Sequence, residues 1–295
     1  MNVAVGIPAY NEEKNIGAII TKLKKISDTI IVCDDGSADL TGEISKGLGA
    51  QVITHSKNKG YGAAIKTIFL EAKKRQVDIL VTFDADGQHQ IKDIENVMQP
   101  IISGKADVVI GSRFLDKKTD MPRYRKIGVK VITELTNVTT GSKITDSQSG
   151  FRAYNKTVLE NITPTELGMG VSTEILIKVQ EKGLKITEIP IEILYQGKTS
   201  THNPVTHGTS VIFSTLKFVA IKHPLTFYGI PGIILLSIGL IFSVWTIQIF
   251  SQQGEFITNI AIIGGGGVII GIMLLITASI LFSVVSTIKE NNKST

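Results

Sequence analysis

The 295-residue chain has a single cysteine, Cys33, and a single tryptophan, Trp245. One cysteine excludes an internal disulfide, so the chain fits a reducing compartment. No Gly-x-Gly-x-x-Gly follows the first predicted strand, Asn2–Ile7, so a dinucleotide-binding Rossmann enzyme lacks its main fingerprint. We also expect no signal peptide, because Met1-Asn2 runs directly into that strand.

Charged residues are absent from two long stretches near the C-terminus. Leu225–Phe250 and Ala261–Ser286 contain no Asp, Glu, Lys, Arg or His. Each stretch is longer than the roughly 20 apolar residues that span a bilayer. We therefore predict two transmembrane helices, at about 225–250 and 261–286; the alternative is a buried pair of core helices.

The positions of positive charge predict the orientation of these spans. By the positive-inside rule, the N-terminal part and the tail, residues 289–295, are cytoplasmic in a two-span protein of the cell membrane. We expect an amphipathic juxtamembrane helix over residues 206–223. The net charge of +5 suits anionic lipid better than nucleic acid, so no nucleic-acid partner is expected. The flanking basic residues are Lys217, Lys222, His223, Lys289 and Lys293, and the loop between the spans carries only Glu255.

Strand and helix patterns alternate five times before residue 112. This alternation predicts an α/β fold in residues 1–205, with a mostly parallel sheet covered by helices on both faces. Another strand is predicted to begin near Arg152, and a further one over Lys185–Leu194. Ser172-Thr173-Glu174 is interpreted as the cap of a helix that runs to Lys182.

Two acids one residue apart follow a strand that is predicted to be buried. Asp84 and Asp86 come after Asp78–Phe83, and Gly87 then turns the chain. Ligands bind at the carboxyl ends of strands in open α/β sheets, and Mg²⁺ is usually held by one or two carboxylates plus substrate phosphates. We interpret the pair as a metal and diphosphate site to which Gln88 adds a neutral oxygen. The alternative is a solvated acidic turn.

Acids and glycines follow two other predicted strands. Asp34-Asp35-Gly36-Ser37 comes after Thr29–Cys33, and these residue types also suit a turn and a helix N-cap. Lys59-Gly60-Tyr61-Gly62 opens a helix after Gln51–Thr54. Glycines there would let the backbone approach a ligand, and a helix N-terminus favours anions.

Six motifs occur in a fixed order along residues 7–154. They are Ile7-Pro8-Ala9-Tyr10-Asn11-Glu12-Glu13, Asp34-Asp35-Gly36-Ser37, Gly60-Tyr61-Gly62-Ala63-Ala64, Asp84-Ala85-Asp86-Gly87-Gln88-His89, Gly111-Ser112-Arg113-Phe114 and Ser149-Gly150-Phe151-Arg152-Ala153-Tyr154. In this order and spacing the chain resembles glycosyltransferase family 2. It is most similar to the branch of dolichol-phosphate mannosyltransferases and polyprenyl-phosphate glycosyltransferases, over residues 1 to about 200. In its two C-terminal apolar stretches, the chain is similar to members of this branch that carry their own membrane anchor.

The resemblance implies a GT-A fold and inverting transfer of a sugar from a nucleotide-diphosphate sugar to a polyprenyl or dolichyl phosphate. It also implies a role for Mg²⁺ or Mn²⁺ and a set of site residues. Matched by position, Pro8, Tyr10, Glu12, Asp35 and Gly62 would bind the donor nucleotide, Asp84, Asp86 and Gln88 would hold the metal, Arg113 would lie near the phosphates, and Arg123 and Arg125 would belong to a loop that closes over the acceptor phosphate.

One part of the chain departs from the family pattern. Family members usually continue the last strand with a Tyr, an Arg and a Gly-x-Ser-Lys-like phosphate contact, whereas this chain reads Tyr195-Gln196-Gly197-Lys198-Thr199-Ser200. The expected Arg is absent, and Lys198 would have to supply the positive charge at the acceptor phosphate. A lysine is a point donor rather than a bidentate fork.

A lipid monophosphate acceptor needs no general base. Its second pKa is about 6, so it is largely dianionic at neutral pH. We assign no base, although Asp146 could serve as one by analogy with relatives that use sugar acceptors. The run Gly264–Gly267 indicates close helix packing, either within the hairpin or between subunits of a homo-oligomer.

Three other functions stay open at this point. A processive polysaccharide synthase would carry a Gln-x-x-Arg-Trp motif, but Trp245 lies inside a predicted span. The other two are an enzyme that moves a sugar-phosphate onto lipid and a catalytically dead membrane scaffold. Among donors we favour GDP-mannose or UDP-glucose over UDP-N-acetylglucosamine, and the acceptor is either dolichyl or undecaprenyl phosphate.

Overall fold

The computed structural model describes residues 1–116, 121, 123–193, 220–221, 224–254 and 256–291, without the side chains of 123–125 and 288–291. The chain divides into two compact units, Met1–Thr215 and Leu216–Thr295. Residues 206–219 and 222–223 of the predicted juxtamembrane helix, and most of the predicted tail, lie outside the described residues. The boundaries of those two segments therefore stay predictions.

The first unit is built on a seven-stranded sheet. The strands are β1 (Val3–Ala9), β2 (Thr29–Asp34), β3 (Gln51–Thr54), β4 (Ile79–Thr82), β5 (Val108–Ser112), β6 (Arg152–Asn155) and β7 (Ile186–Pro190). Their spatial order is β3-β2-β1-β4-β6-β5-β7. All neighbours pair in parallel except β6, which is antiparallel to both β4 and β5. The mostly parallel sheet is thus confirmed.

Seven helices accompany this sheet among the described residues. The alternation of apolar side chains along the strands sends successive residues to opposite faces, so β1 contributes Val5 and Ile7 to one core cluster and Ala4 to the other. Helices α1 and α4 pack on the first cluster, and α3, α6 and α7 pack on the second. The helices are α1 (Glu13–Leu23), α2 (Thr41–Gly47), α3 (Tyr61–Lys74), α4 (Asp93–Ile102), α5 (Arg123–Thr140), α6 (Lys156–Asn161) and α7 (Val171–Glu181).

The antiparallel strand β6 brings its own beginning to the carboxyl end of β4. Thr82, the last residue of β4, lies opposite Arg152, the first residue of β6. The Thr82 hydroxyl donates to the carbonyl of Gly150 at 2.7 Å. The segment before β6 is therefore held beside the segment that follows β4.

Arg152 is a buried cation at this junction, with a relative exposure of 1%. Its guanidinium donates to the carbonyls of Ser149 at 2.8 Å, Ser172 at 2.9 Å and Ser147 at 2.7 Å. A buried charge is tolerated only when its donors are satisfied. The three carbonyls thus fix the loop before β6 and the first turn of α7 around one side chain.

The predicted cap of α7 is wrong. The helix begins at Val171, after Gly170, so Ser172, Thr173 and Glu174 lie inside it and are buried. The Glu174 carboxylate accepts hydrogen bonds from the backbone nitrogens of Thr165, at 2.9 Å and 3.0 Å, and Glu166, at 2.8 Å. An acid that the pattern assigned to a helix start instead anchors the preceding loop.

The second unit contains two long apolar helices, α8 (Ile230–Gln253), which follows a π-helical turn over Leu225–Gly229, and α9 (Thr258–Asn291). By length and composition, Leu225–Gln253 and Thr258–Thr287 can each cross a membrane, with mean hydropathies of 2.3 and 2.8. Within the described residues, 11% of the apolar window in each is buried. A core helical pair of a soluble protein would be mostly buried, so that alternative does not fit.

Glycines let α8 and α9 approach closely. A Cβ on Gly239 would lie 2.4 Å from the backbone nitrogen of Val268, and one on Gly271 would lie 2.6 Å from the nitrogen of Leu236. Gly264 and Gly267 also face α8, whereas a Cβ on Gly265 or Gly266 would meet nothing within 4 Å among the described residues. Four of these glycines, Gly239, Gly264, Gly267 and Gly271, therefore pack within the hairpin, and packing between subunits stays a prediction.

We expect Arg152→Met to lower the free energy of unfolding by about 3 kcal/mol, because three buried carbonyls lose a charged donor. A urea titration of the detergent-solubilised full chain, followed by circular dichroism, measures the change. Arg75→Met is the control, since Arg75 is partly exposed and bonds to Glu71 one helical turn away; it should cost less than about 1 kcal/mol. Equal effects of the two substitutions would contradict the role given to Arg152.

Candidate active site

The carboxyl ends of β1, β2 and β4 lie side by side in the sheet. Pro8 pairs with Cys33, and Gly6 pairs with Thr82. The residues that follow these strands therefore meet at one edge, as expected for parallel neighbours. They include Tyr10 after β1, Asp35 after β2 and Asp84 after β4.

The loops after β1 and β2 are joined by hydrogen bonds. The backbone nitrogen of Asn11 donates to the Ser37 hydroxyl at 3.0 Å, and the Asn11 carbonyl oxygen of the side chain accepts from Ala38 N at 2.8 Å. Asn11 has a positive φ of 55°, a conformation that asparagine tolerates better than most residues. The Glu12 nitrogen donates to the Thr41 hydroxyl at 2.8 Å. These bonds set the position of the backbone between Tyr10 and Glu12.

The Glu12 carboxyl belongs to an acidic group at this edge. Burial raises the pKa of Glu12 above its ordinary value, and the charges of Asp86, Asp39 and Asp84 raise it further. The Asn15 side chain donates to Glu12 Oε2 at 2.9 Å and opposes the shift. The acids that the motifs predicted for the nucleoside and metal positions are thus within electrostatic reach of one another.

Asp35 is buried and organises the loop that precedes α3. Its carboxylate accepts from the backbone nitrogens of Lys59 at 2.9 Å and Gly60 at 2.8 Å. His55 Nδ1 lies 2.6 Å from Asp35 Oδ1, and its Nε2 lies 2.9 Å from the Thr67 hydroxyl. The sequence suggested that an anionic ligand binds the backbone amides before α3. In the structure, the Asp35 carboxylate binds the amides of Lys59 and Gly60. Direct contact of Asp35 with a nucleoside stays a prediction.

The glycines at the start of α3, Gly60 and Gly62, allow another segment of the same chain to pack closely against the backbone. A Cβ on Gly62 would lie 2.2 Å from the carbonyl oxygen of Glu166, and one on Gly60 would lie 2.5 Å from that of Leu167. The Ala63 nitrogen donates to the Leu167 carbonyl at 3.2 Å. The close approach that the glycines permit is thus to residues 166–168, and the donor contact predicted for Gly62 stays a prediction.

Asp84 presents a carboxylate whose two oxygens are both hydrogen-bonded. The Tyr61 hydroxyl donates to Oδ1 at 3.2 Å, and His89 Nε2 lies 3.3 Å from Oδ2. Burial raises the pKa of Asp84, but the bonds from His89 and Tyr61 and the charge of Arg113 more than offset this, so the pKa lies below its ordinary value. The side chain is 26% exposed. Asp84 is therefore an ionised carboxylate with one side open to solvent.

Burial also raises the pKa of Tyr61 well above its ordinary value, and the nearby Asp84 charge adds to the shift. The phenol therefore keeps its proton and acts as a donor to Asp84.

Asp86 and Gln88 follow Asp84 in the same turn. The Gln88 backbone nitrogen donates to Asp86 Oδ1 at 3.0 Å. In the described part of the chain, no group of three or more His, Cys, Asp or Glu side chains is placed to hold a metal ion. Two carboxylates and an amide oxygen nevertheless fit Mg²⁺ or Mn²⁺, because such a cation takes its remaining ligands from substrate phosphates and water. The donor set thus fits a metal that arrives with a diphosphate.

Arg113 is held by an acid to which the sequence gave no firm role. Its Nε lies 2.6 Å from Asp146 Oδ2, and one terminal nitrogen lies 2.8 Å from Asp146 Oδ1. Asp146 is fully buried, and its backbone nitrogen donates to Glu188 Oε1 at 2.9 Å. This two-point pairing fixes the guanidinium plane. Asp146 therefore orients Arg113.

The remaining predicted residues are less fully described. Arg123 and Arg125 lie in the first turn of α5 and not in a loop, so the predicted loop is wrong at these two residues; their side chains are outside the described residues. Lys198 is also outside them. Their proposed contacts with an acceptor phosphate stay predictions.

Tyr61, His89 and Gly150 occur in the sequence motifs, but the motifs assign no role to them. A buried aromatic hydroxyl or a histidine next to an acidic pair is a usable signal for an outer-sphere partner. No spacing rule, however, links residue 61 or 150 to residue 84. These contacts depend on the tertiary fold.

The matching protein-family model is Glycosyl transferase family 2, over residues 4–163. Two relatives are similar over most of their length. The UDP-N-acetylglucosamine–dolichyl-phosphate N-acetylglucosaminyltransferase of Methanococcus voltae is 37% identical over 70% of this chain and 89% of its own. The dolichyl-phosphate hexose transferase of Haloferax volcanii is 31% identical over 73% of this chain and 93% of its own.

A solved structure shares the fold. Glucosyl-3-phosphoglycerate synthase from Mycobacterium tuberculosis, in complex with UDP, superposes with a TM-score of 0.61 at 21% identity, over 73% of this chain and 79% of that one. This likeness confirms the GT-A fold. On the family model, and on relatives more than 30% identical over most of their length, the chain belongs to glycosyl transferase family 2.

Proposed function

We propose that the protein transfers a sugar from a nucleotide-diphosphate sugar to a polyprenyl or dolichyl phosphate. The observation that carries the proposal is the Asp84 and Asp86 pair at the carboxyl end of β4, with Arg113 in electrostatic reach of Asp84. Both named relatives are dolichyl-phosphate sugar transferases. The arrangement suits a reaction in which two anionic substrates must meet.

The two carboxylates and Gln88 supply oxygen ligands for a divalent cation, either Mg²⁺ or Mn²⁺. When bound, such a cation offsets the diphosphate charge and stabilises the negative charge that grows on the leaving group. Asp84 is suited to this role because its pKa is held below the ordinary value, so it is ionised at neutral pH. Glu12 and Asp35 occupy the neighbouring part of the edge, where we place the nucleoside.

Arg113 is the described cation that we assign to the substrate phosphates. Its pairing with Asp146 engages Nε and one terminal nitrogen, so the guanidinium is oriented before a substrate binds. An oriented arginine is well suited to two-point contact with a phosphate. Both Asp146 oxygens contact Arg113, which favours a positioning role over a general base. The acceptor phosphate requires no base, since it is largely dianionic at neutral pH.

The two apolar helices suit an acceptor whose reactive head lies at a bilayer surface. We propose that they anchor the enzyme in the cell membrane with the first unit and the C-terminus in the cytoplasm, as the flanking lysines indicate. An anchored enzyme meets a lipid phosphate in two dimensions. The basic residues Arg123, Arg125 and Lys198 are our candidates for contact with that phosphate.

A transfer assay with three donors identifies the sugar. We favour GDP-mannose or UDP-glucose as the donor, whereas the Methanococcus voltae relative is named for UDP-N-acetylglucosamine. Membranes that contain the protein should be incubated with a polyprenyl phosphate, Mg²⁺ or Mn²⁺, and each radiolabelled nucleotide sugar in turn. We expect label from one donor in the organic extract, and we expect EDTA to abolish it.

Membranes that contain the Asp84→Ala variant are the control for this assay. No lipid product from any of the three donors, combined with measurable nucleotide binding, would contradict the proposal and favour a non-catalytic scaffold. A labelled lipid that also retains the donor's phosphorus would instead indicate sugar-phosphate transfer.

We expect Asp84→Asn and Asp86→Asn each to lower the rate of transfer at least about 100-fold, because each removes a charged ligand of the cation. The temperature of thermal unfolding should change little. An asparagine at residue 84 keeps one acceptor oxygen, and Asp86 lies in a partly exposed turn. Asp28→Asn is the matched control. Asp28 is exposed and precedes β2, at the opposite edge of the sheet. Full activity of either site variant would exclude the metal assignment.

The Asp146→Asn substitution should reduce transfer through its effect on Arg113. If Asp146 acts only by orienting Arg113, the double variant Arg113→Ala/Asp146→Asn will be no slower than Arg113→Ala alone. The measurement is kcat/KM for the lipid acceptor in a double-mutant cycle. Additive losses would mean that Asp146 has an independent role, such as that of a general base.

A further inference from the structure

The contacts on Asp84 extend beyond the residues predicted from the motifs. Tyr61 and His89 each donate to a different oxygen of the same carboxylate, at 3.2 Å and 3.3 Å. Each carboxylate oxygen has two acceptor sites, so one donor on each oxygen leaves a second site free for a cation. The pair of donors also opposes rotation of the carboxylate about its axis.

The position of His89 is set by packing rather than by Asp84 alone. Its side chain is 5% exposed, and its ring centroid lies 5.7 Å from that of Phe83 and 5.2 Å from that of Phe151. The His89 backbone forms an isolated bridge with Ile193. Nδ1 is buried without a hydrogen-bond partner in the described part of the chain, so Asp84 is the polar contact that the ring makes through Nε2.

The position of Tyr61 is set by the start of α3. Tyr61 lies between Gly60 and Gly62, which pack against the carbonyls of residues 166–168. That loop is in turn anchored by the buried Glu174. The hydroxyl is thus delivered to Asp84 by a chain of contacts that needs no ligand.

A third contact restricts the position of the Asp84 carboxylate, on the side that faces the segment before β6. A Cβ on Gly150 would lie 2.6 Å from Asp84 Oδ2 and 2.7 Å from Oδ1. The Gly150 carbonyl is held by the Thr82 hydroxyl at 2.7 Å. The backbone of the Ser149-Gly150-Phe151-Arg152 motif therefore packs directly on the carboxylate, and any side chain at residue 150 would displace it.

We propose that Tyr61 and His89 are positioning residues that fix the Asp84 carboxylate for a divalent cation. The inference rests on the metal site of the proposed function and deepens it. Outer partners of this kind orient the ligands of a metal, and their loss typically weakens metal affinity by about 10-fold to 100-fold. Neither side chain is required as a ligand, because the cation draws on Asp84, Asp86 and the substrate diphosphate.

The test measures Mn²⁺ affinity rather than turnover. Purified full-length protein in detergent is titrated with Mn²⁺ in the presence of UDP or GDP, and free Mn²⁺ is followed by its electron paramagnetic resonance signal. We expect Tyr61→Phe and His89→Leu each to raise the Kd for Mn²⁺ by about tenfold. His89→Gln, which restores an N–H donor, should recover part of the affinity.

Tyr154→Phe is the matched control for Tyr61→Phe. Tyr154 lines the same small cavity as Tyr61, but its hydroxyl interacts with Arg152 and Thr82. The Kd for Mn²⁺ of this variant should equal that of the wild type. An equal loss of Mn²⁺ affinity in Tyr61→Phe and Tyr154→Phe would mean that the effect comes from core packing. That result would overturn the inference.

The outcomes separate this inference from the proposed function. Wild-type Mn²⁺ affinity in Tyr61→Phe and His89→Leu would overturn the inference, whatever the transfer assay shows. Pulsed electron paramagnetic resonance of the bound Mn²⁺ also detects directly coordinated nitrogen. A hyperfine coupling to a histidine nitrogen would make His89 a ligand and overturn its positioning role. If the two substitutions weaken Mn²⁺ binding but the wild type transfers no sugar, the inference holds and the proposed function fails.

Discussion

The guanidinium of Arg152 is a cation inside the protein, and its three carbonyl partners tie the loop before β6 to the first turn of α7. A buried charge costs a large desolvation free energy, which these three hydrogen bonds help to offset, so the backbone positions of the three carbonyls are strongly constrained. The same loop carries Gly150, which packs on the Asp84 carboxylate. The stability of the core and the geometry of the acidic site therefore depend on one side chain.

Much of the fold could be predicted because local patterns determine it. Alternating strands and helices indicated a mostly parallel sheet, and two uncharged stretches indicated the apolar hairpin. The direction of β6 could not be predicted, because four residues, Arg152–Asn155, carry no signal for the strands beside which they lie. The predicted start of α7 was wrong for a related reason. Glu174 resembles a capping acid in sequence, but the tertiary fold turns it inward to the loop at Thr165.

The acidic site was predictable to the extent that its residues are neighbours in sequence. Asp84, Asp86 and Gln88 form a short motif after a strand, and their residue types suggest a hard cation. Two of the partners that orient these groups are distant in the sequence: Tyr61 is 23 positions from Asp84, and Asp146 is 33 positions from Arg113. No periodicity joins such pairs. The structure supplied Tyr61, His89 and Asp146 as partners, while Arg123, Arg125 and Lys198 stay predictions.

The place of β6 in the sheet also constrains the order of assembly. β4 and β5 succeed each other along the chain, yet β6 lies between them and bonds to both. A nascent chain that ends before residue 155 therefore holds two strands whose facing edges have no partner, and such edges are prone to wrong pairing. In the folded sheet, β6 joins β4 to β5, and the segment directly before it holds Gly150 against Asp84. The acidic site is thus complete only once residues 149–155 have been synthesised and β6 has paired with β4.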